Sequence, residues 1–232
     1  MDGHKQTEYK TKAQQNVLCI SIVVNIHATI LTGLQPPVPA EGNRAAWILA
    51  GGRSSRMGRD KALIDIDGIS MVERVAAEIQ KICGFVGIVG DPSRYSGFKL
   101  PVIPDRFPGM GPLAGIESAL AATEVEWNLV VACDMPALEF LLLESLFDSA
   151  KGDADCVLPS YEDGRVEPLC AVYNRRCHRT VEAALQAGVR KVTDALAPLA
   201  IRYVRVTRPD SFANLNTPEE LRRFELQRRQ NG

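Results

Sequence analysis

The chain has 232 residues, 46% of them hydrophobic and 24% charged, with a formal net charge of -1. That length is ample for a buried core, and the balance excludes both a disordered polyelectrolyte and a broadly basic surface for nucleic acid. Any anion must therefore be bound by a local cluster of groups. The six cysteines (Cys19, Cys83, Cys133, Cys156, Cys170, Cys177) form no C-x-x-C pair, and five stand in apolar or strand-like runs, so they read as buried free thiols of a reducing cytoplasm and not as a zinc site or disulfide framework.

Residues 1–44 differ in character from the rest of the chain. Lys5, Lys10 and Lys12 precede an apolar run from Val17 to Leu34, and a Gln-Pro-Pro-Val-Pro-Ala-Glu-Gly stretch comes next, an order that imitates a signal sequence or membrane anchor. Ser21, Asn25, His27, Thr29 and Thr32 interrupt that run, which is marginal against the ~20 mostly apolar residues needed to span a bilayer. The expectation is a poorly ordered N-terminal extension over 1–44, of the kind a start codon placed too far upstream would add, followed by one folded domain over 45–232.

From Ala45 onward, short apolar runs alternate with helical patterns at βαβ spacing. Ala45 to Leu49 reads as a strand ending directly at a glycine loop. Met71 to Lys81 reads as a helix with Met71, Val75, Ile79 and Ile82 on one face, and Phe85 to Val89 as the next strand. Further strands are expected at Pro101–Ile103, Asn128–Ala132, Cys156–Leu158, Leu169–Tyr173 and Ile201–Val206, with helices between most of them. Pro108-Gly109-Met110-Gly111-Pro112 is a turn-rich loop before a helix from Leu113 to Leu120, and Thr217-Pro218-Glu219-Glu220 combines an N-cap, a proline at the first helical position and a capping box. Together these predict an α/β fold: a single three-layer α/β/α domain with a mostly parallel, Rossmann-like sheet.

The loop after the first strand carries the strongest chemical signal. Leu49-Ala50-Gly51-Gly52 offers backbone N–H groups with no Cβ in the way, so phosphate oxygens can approach the main chain. A glycine pair after a strand is a plain tight turn at least as often. Here, however, Arg53, Arg56, Arg59 and Lys61 crowd four cations into nine residues just beyond it, where a triphosphate would lie. The spacing is neither G-x-x-x-x-G-K-[ST] nor G-x-G-x-x-G.

Transfer of a nucleotidyl group needs negative charge neutralised and the α-phosphate held in line, tasks that suit carboxylates at strand ends. Asp134 follows the apolar run Val130-Val131-Ala132, at the edge where open α/β sheets bind ligands. On the residues alone, that role and a helix cap before Pro136 stand level. Asp105, after Val102-Ile103-Pro104, has a strand-end turn as its plain role. Asn214 and Asn216 alternate at strand spacing, so both can present amides on one side, or can brace a turn. His4, His27 and His178 are scattered, and Arg175, Arg176, Arg179 and the tail arginines read as solvated helix faces.

Leu49 to Lys61 resembles L-A-G-G-x-S-x-R-M-G-x-D-K, the signature of the molybdenum cofactor guanylyltransferases within the glycosyltransferase-A-like nucleotidyltransferases. Cys133-Asp134-Met135-Pro136, Asp105, the segment Gly111-Pro112-Leu113-Ala114-Gly115, and Phe212 to Glu219 (F-x-N-x-N-T-P-E) resemble further family motifs in family order, and Glu167 to Tyr173 resembles a segment on the acceptor side to which no chemistry is assigned. The resemblance implies transfer of GMP from GTP to Mo-molybdopterin with release of pyrophosphate. It implies that Leu49, Ala50, Gly51, Gly52, Arg56 and Lys61 hold the triphosphate, Asp134 binds Mg²⁺, Asp105 supports the nucleotide, and Asn214 and Asn216 face the acceptor. Molybdoenzymes or cofactor-delivery proteins are the implied partners, with no nucleic acid or membrane. Where some members carry a nucleotide-contacting asparagine, this chain has Gly90 followed by Asp91. Rival readings are cytidylyl transfer to the same pterin, whose enzymes tend to carry Ala-Ala-Gly in place of Ala50-Gly51-Gly52, sugar-phosphate nucleotidyl transfer, and a non-catalytic nucleotide-binding module.

Overall fold

Alternation along the first strand sets the layers. In the computed structural model, which describes residues 44–51, 60–206, 212, 215 and 217–231, β1 (Arg44–Leu49) sends Ile48 to one face of a sheet and Trp47 to the other. Both faces are covered. Helices α1 (Met71–Ile79) and α4 (Phe140–Ser149) pack Val72, Val75, Ile79, Leu143, Leu146 and Phe147 on the Ile48 side. On the Trp47 side α3 (Pro112–Ala121), α5 (His178–Gln186) and α6 (Val192–Leu196) bring Leu113, Ile116, Leu120, Val181, Leu185 and Leu196. A short helix α2 (Pro92–Tyr95) sits near the sheet's upper edge, and α7 (Pro218–Asn231) ends the chain.

The main sheet runs β5 (Val102–Ile103), β4 (Phe85–Val89), β1, β6 (Trp127–Ala132), β8 (Cys170–Asn174), β7 (Cys156–Ser160), β9 (Ile201–Arg205). β1 pairs in parallel with both β4 and β6, β4 with β5, and β7 with β9, whereas β8 is antiparallel to both its neighbours. Because the chain leaves β1 toward β4 on one side and returns to it with β6 on the other, the C-terminal ends of β1 and β6 form a topological switch point, the place where open α/β sheets bind ligands. The mostly parallel α/β/α architecture agrees with expectation.

Three local readings change. Arg44 belongs to β1, one residue before the strand start read from the sequence, and there Nη1 lies 2.8 Å from Glu144 and the guanidinium stands 4.7 Å from the Phe147 ring centroid. The segment Asp65–Ser70 is a hairpin of β2 (Asp65–Ile66) and β3 (Ile69–Ser70), with Asp67 at φ 54° and Gly68 at φ 80°. Asp-Gly between apolar residues is a strong hairpin signal that the helix-and-strand periodicity passed over. No helix starts at Pro136: α4 begins at Phe140 after Glu139. The capping box of α7 is as read, with Thr217 Oγ1 accepting from Glu220 N (3.2 Å) and Thr217 N donating to Glu220 Oε2 (2.9 Å). The run Val17–Leu34 lies outside the described residues, among which no helix is long and apolar enough to cross a membrane.

Candidate active site

The upper edge of the sheet is stitched together by main-chain bonds between strand ends. Ala50 N donates to Val89 O (2.9 Å), Cys133 N to Leu49 O (3.2 Å) and Gly90 N to Ile103 O (2.8 Å), so β5, β4, β1 and β6 end as one ledge. A Cβ at Gly90 would lie 2.2 Å from the Ala50 carbonyl oxygen and 2.7 Å from the Tyr95 ring, so a side chain cannot stand there without a shift of the main chain. Gly51 is the opposite case. It is exposed, and the space its Cβ would occupy is open, as a main chain approached by a ligand requires. Gly52 and Arg56 lie outside the described residues.

Lys61 opens a 3-10 turn, Lys61–Leu63, capped by Asp60, whose Oδ1 accepts from Ala62 N (3.1 Å). The other oxygen of Asp60 accepts from the Tyr95 hydroxyl (2.7 Å) and from Arg94 Nη1 (3.2 Å). Lys61 is thereby anchored to α2 through its neighbour. Burial, and then the bond to Asp60, push the Tyr95 hydroxyl well above the usual phenol range, so it stays a donor.

From this anchor Lys61 Nζ donates to Asp134 Oδ2 at 3.1 Å, both side chains being mostly buried. Asp134 lies in the turn just past β6, several residues before the Glu139 cap of α4, which removes the helix-cap role. Its carbonyl oxygen accepts from Leu215 N (3.0 Å), and Phe212 packs edge-on to Tyr161 with centroids 5.9 Å apart. The structure so brings Leu215, within the Phe212–Glu219 motif, to Asp134; Asn214 and Asn216 themselves lie outside the described residues.

A residue given no chemistry from the sequence also arrives here. Glu167 begins a turn closed by Cys170 N donating to Glu167 O (3.3 Å), and Ala132 N donates to Leu169 O (2.8 Å), setting that turn against the end of β6. Glu167 Oε1 accepts from Leu169 N (3.3 Å). Burial, and then the nearby charge of Asp134, raise the Glu167 carboxyl above its ordinary range, while the Leu169 amide pulls the other way. No spacing in the sequence shows this, because it depends on β8 running antiparallel beside β6.

Asp105 follows β5, three strand positions from β6 along the same edge, about 14 Å at ordinary strand spacing. Its Oδ1 accepts from Phe107 N (2.8 Å), so the turn role is real, and the structure does not bring it to the Lys61–Asp134 pair. Gly109 and Gly111, both at φ 82°, carry the loop into α3.

A second acidic group was not foreseen. Glu117, fully buried on α3, is bonded through Oε1 to Arg106 Nη1 and lies 2.9 Å from His178 Nε2, and Arg106 Nη2 is 3.7 Å from Glu182. The ligand atoms of Glu117, His178 and Glu182 lie within 4.8 Å of one another, a spacing a metal ion could use, yet Arg106 already supplies the positive charge. His178 and Glu117 are far apart in sequence; the one available hint was a glutamate in a mostly apolar helix. Cys133, wedged beside Asp134, is no nucleophile, since burial and then the charges of Asp134 and Asp60 push its thiol up to about 12.

The chemistry of this edge is that of anion handling. Asp134 and Glu167 offer oxygen donors alone, the set preferred by a hard divalent cation, and Lys61 with the open Gly51 main chain suits phosphate.

Residues 46–200 match the MobA-like NTP transferase domain. The probable molybdenum cofactor guanylyltransferase of Carboxydothermus hydrogenoformans is 32% identical over 77% of this chain and 93% of its own. The molybdenum cofactor guanylyltransferase of Desulfosudis oleivorans is 35% identical over 77% and 92%. Among solved structures, molybdopterin-guanine dinucleotide biosynthesis protein A of Archaeoglobus fulgidus superposes with a TM-score of 0.69 at 28% identity, covering 80% of this chain and 99% of that one. The 2-C-methyl-D-erythritol 4-phosphate cytidylyltransferase of Thermus thermophilus, at 16% identity, TM-score 0.63 and coverage of 80% and 98%, shares the fold.

Proposed function

The chain belongs to the MobA-like NTP transferase family, and from that premise we propose that it is a molybdenum cofactor guanylyltransferase, joining GMP from GTP to Mo-molybdopterin and releasing pyrophosphate. The observation that carries this reading is the Lys61–Asp134 pair at the switch point between the ends of β1 and β6, beside the open main chain of Gly51. A phosphate oxygen of the pterin attacks the α-phosphorus of GTP; that P–O bond forms as the bond to the β-phosphate oxygen breaks, and no covalent enzyme intermediate is needed.

In this reading Ala50, Gly51 and Gly52 cradle the triphosphate after Leu49, and Arg56 and Lys61 neutralise it. The arriving triphosphate competes with Asp134 for Lys61, which frees the Asp134 carboxylate for Mg²⁺. Asp134 would hold Mg²⁺, which would supply charge neutralisation at the phosphates. Asp105 supports the nucleoside end, while Asn214 and Asn216 are assigned to the acceptor. The reaction belongs in the cytoplasm, with molybdoenzymes or cofactor-delivery proteins receiving the product.

The test is to incubate the protein with Mg²⁺, a molybdopterin-bearing acceptor and each NTP in turn, and to measure pyrophosphate and dinucleotide. Turnover with GTP is expected. Turnover confined to CTP, or to a sugar phosphate as acceptor, overturns the guanylyl assignment.

A further inference from the structure

The transfer chemistry leaves Glu167 without a role, yet several contacts of the fold serve to place it. Its main-chain N–H donates to Pro159 O (3.1 Å) at the end of β7, its carbonyl accepts from Cys170 N at the start of β8, and Leu169 of the same turn is bonded to Ala132 at the end of β6. Three strand ends thus fix one glutamate beside Asp134. Among the described residues one of its oxygens is engaged, by Leu169 N at a long 3.3 Å.

Two carboxylates at one end of a sheet repel each other, and Lys61 Nζ, bonded to Asp134, offsets one charge of the two. When a triphosphate draws Lys61 away the deficit grows, in a site that must also admit an anionic acceptor. A hard divalent cation shared by both oxygens resolves the conflict. We propose that Glu167 is a second protein ligand of the divalent cation, opposite Asp134, and that it holds this cation on the acceptor side of the site. The inference rests on the reading of Asp134 as a cation ligand, and the two can fail separately.

The experiment is a Mn²⁺ titration followed by electron paramagnetic resonance, on the full chain with a non-hydrolysable GTP analogue. Glu167→Gln keeps the shape and an oxygen for Leu169 N while deleting the charge, so the fold survives, as an unchanged unfolding midpoint verifies. Mn²⁺ affinity is expected to fall at least about tenfold, the scale known even for outer-shell partners of a metal. Asp134→Asn is the reference. If Asp134→Asn weakens Mn²⁺ and Glu167→Gln binds it as the wild type does, this proposal alone is overturned. If neither variant changes the affinity, the reading of Asp134 falls with it. Glu167→Cys gives a second readout: a thiolate ligand should raise the preference for Cd²⁺ over Mn²⁺. An unchanged Cd²⁺ to Mn²⁺ ratio places Glu167 outside the coordination sphere, and also overturns the proposal.

Discussion

Glu117 and Asp134 are both carboxylates held by a cation, but one is sealed and the other stands at an opening. The Glu117 side chain has 0% exposure, and a single oxygen serves Arg106 and His178, two groups drawn from a loop and from α5. A buried charge survives only when it is fully paired, so this centre cannot change partners without stranding a charge in the core. Asp134 keeps 18% exposure and meets Lys61 at the strand ends of the switch point, where, on the proposed function, phosphates would take over the lysine and a cation the carboxylate. Saturation marks architecture; an exchangeable partner marks chemistry. The Glu117 centre fastens the Asp105–Gly111 loop to α3 and α5, and the Asp134 centre is what that fastened frame presents to a ligand.

The contrast is tested most severely by Asp134→Asn. Turnover should drop on the order of a hundredfold or more, the cost of deleting one preorganised electrostatic group, with the unfolding midpoint close to wild type. Pyrophosphate release together with thermal unfolding measures both, and near-normal activity would mean that the reacting phosphates lie elsewhere. Glu117→Ala should behave in the reverse manner. Removing the buried carboxylate takes the Glu117 acceptor from Arg106 and His178 and costs about 2 kcal/mol in urea unfolding, the scale of lost hydrogen bonds to a charged group, while turnover per folded molecule falls far less than in Asp134→Asn. Lost turnover at undiminished stability would erase the distinction between the two centres.

Much of the Asp134 centre was legible because its parts are local signals. A strand, the lysine that closes a glycine-rich loop and an aspartate after an apolar run can each be read within a dozen residues, and the fold brings Leu49, Lys61 and Asp134 to one edge. The Glu117 centre was not legible, since Arg106, Glu117 and His178 come from three elements whose meeting depends on how α3 and α5 cross the same sheet face. Glu167 is recognisable as part of a motif but without chemistry, because periodicity says nothing about β8 running antiparallel to β6. The misread start of α4 has a similar cause: Pro136 is compatible with a first helical turn, but the chain makes turns through Ala137 before Glu139 takes the N-cap position.

The smallest effect probes the link between frame and chemistry. Tyr95→Phe removes the hydroxyl that Asp60 accepts at 2.7 Å and leaves the ring that packs against Gly90. Arg94 still reaches Asp60, but it is more than half exposed and a weak substitute for a fixed donor. The expected loss is about 1 kcal/mol of stability, the net worth of one such bond. Turnover should fall by less than in Asp134→Asn, because the lysine remains and only its anchor loosens. Since burial and Asp60 hold the Tyr95 hydroxyl protonated far above neutrality, the ratio of wild-type to variant activity should be constant from neutral to mildly alkaline pH. A ratio that collapses toward one as pH rises through that range would mean that Tyr95 ionises there, and that Lys61 is anchored by something other than the Tyr95–Asp60 bond.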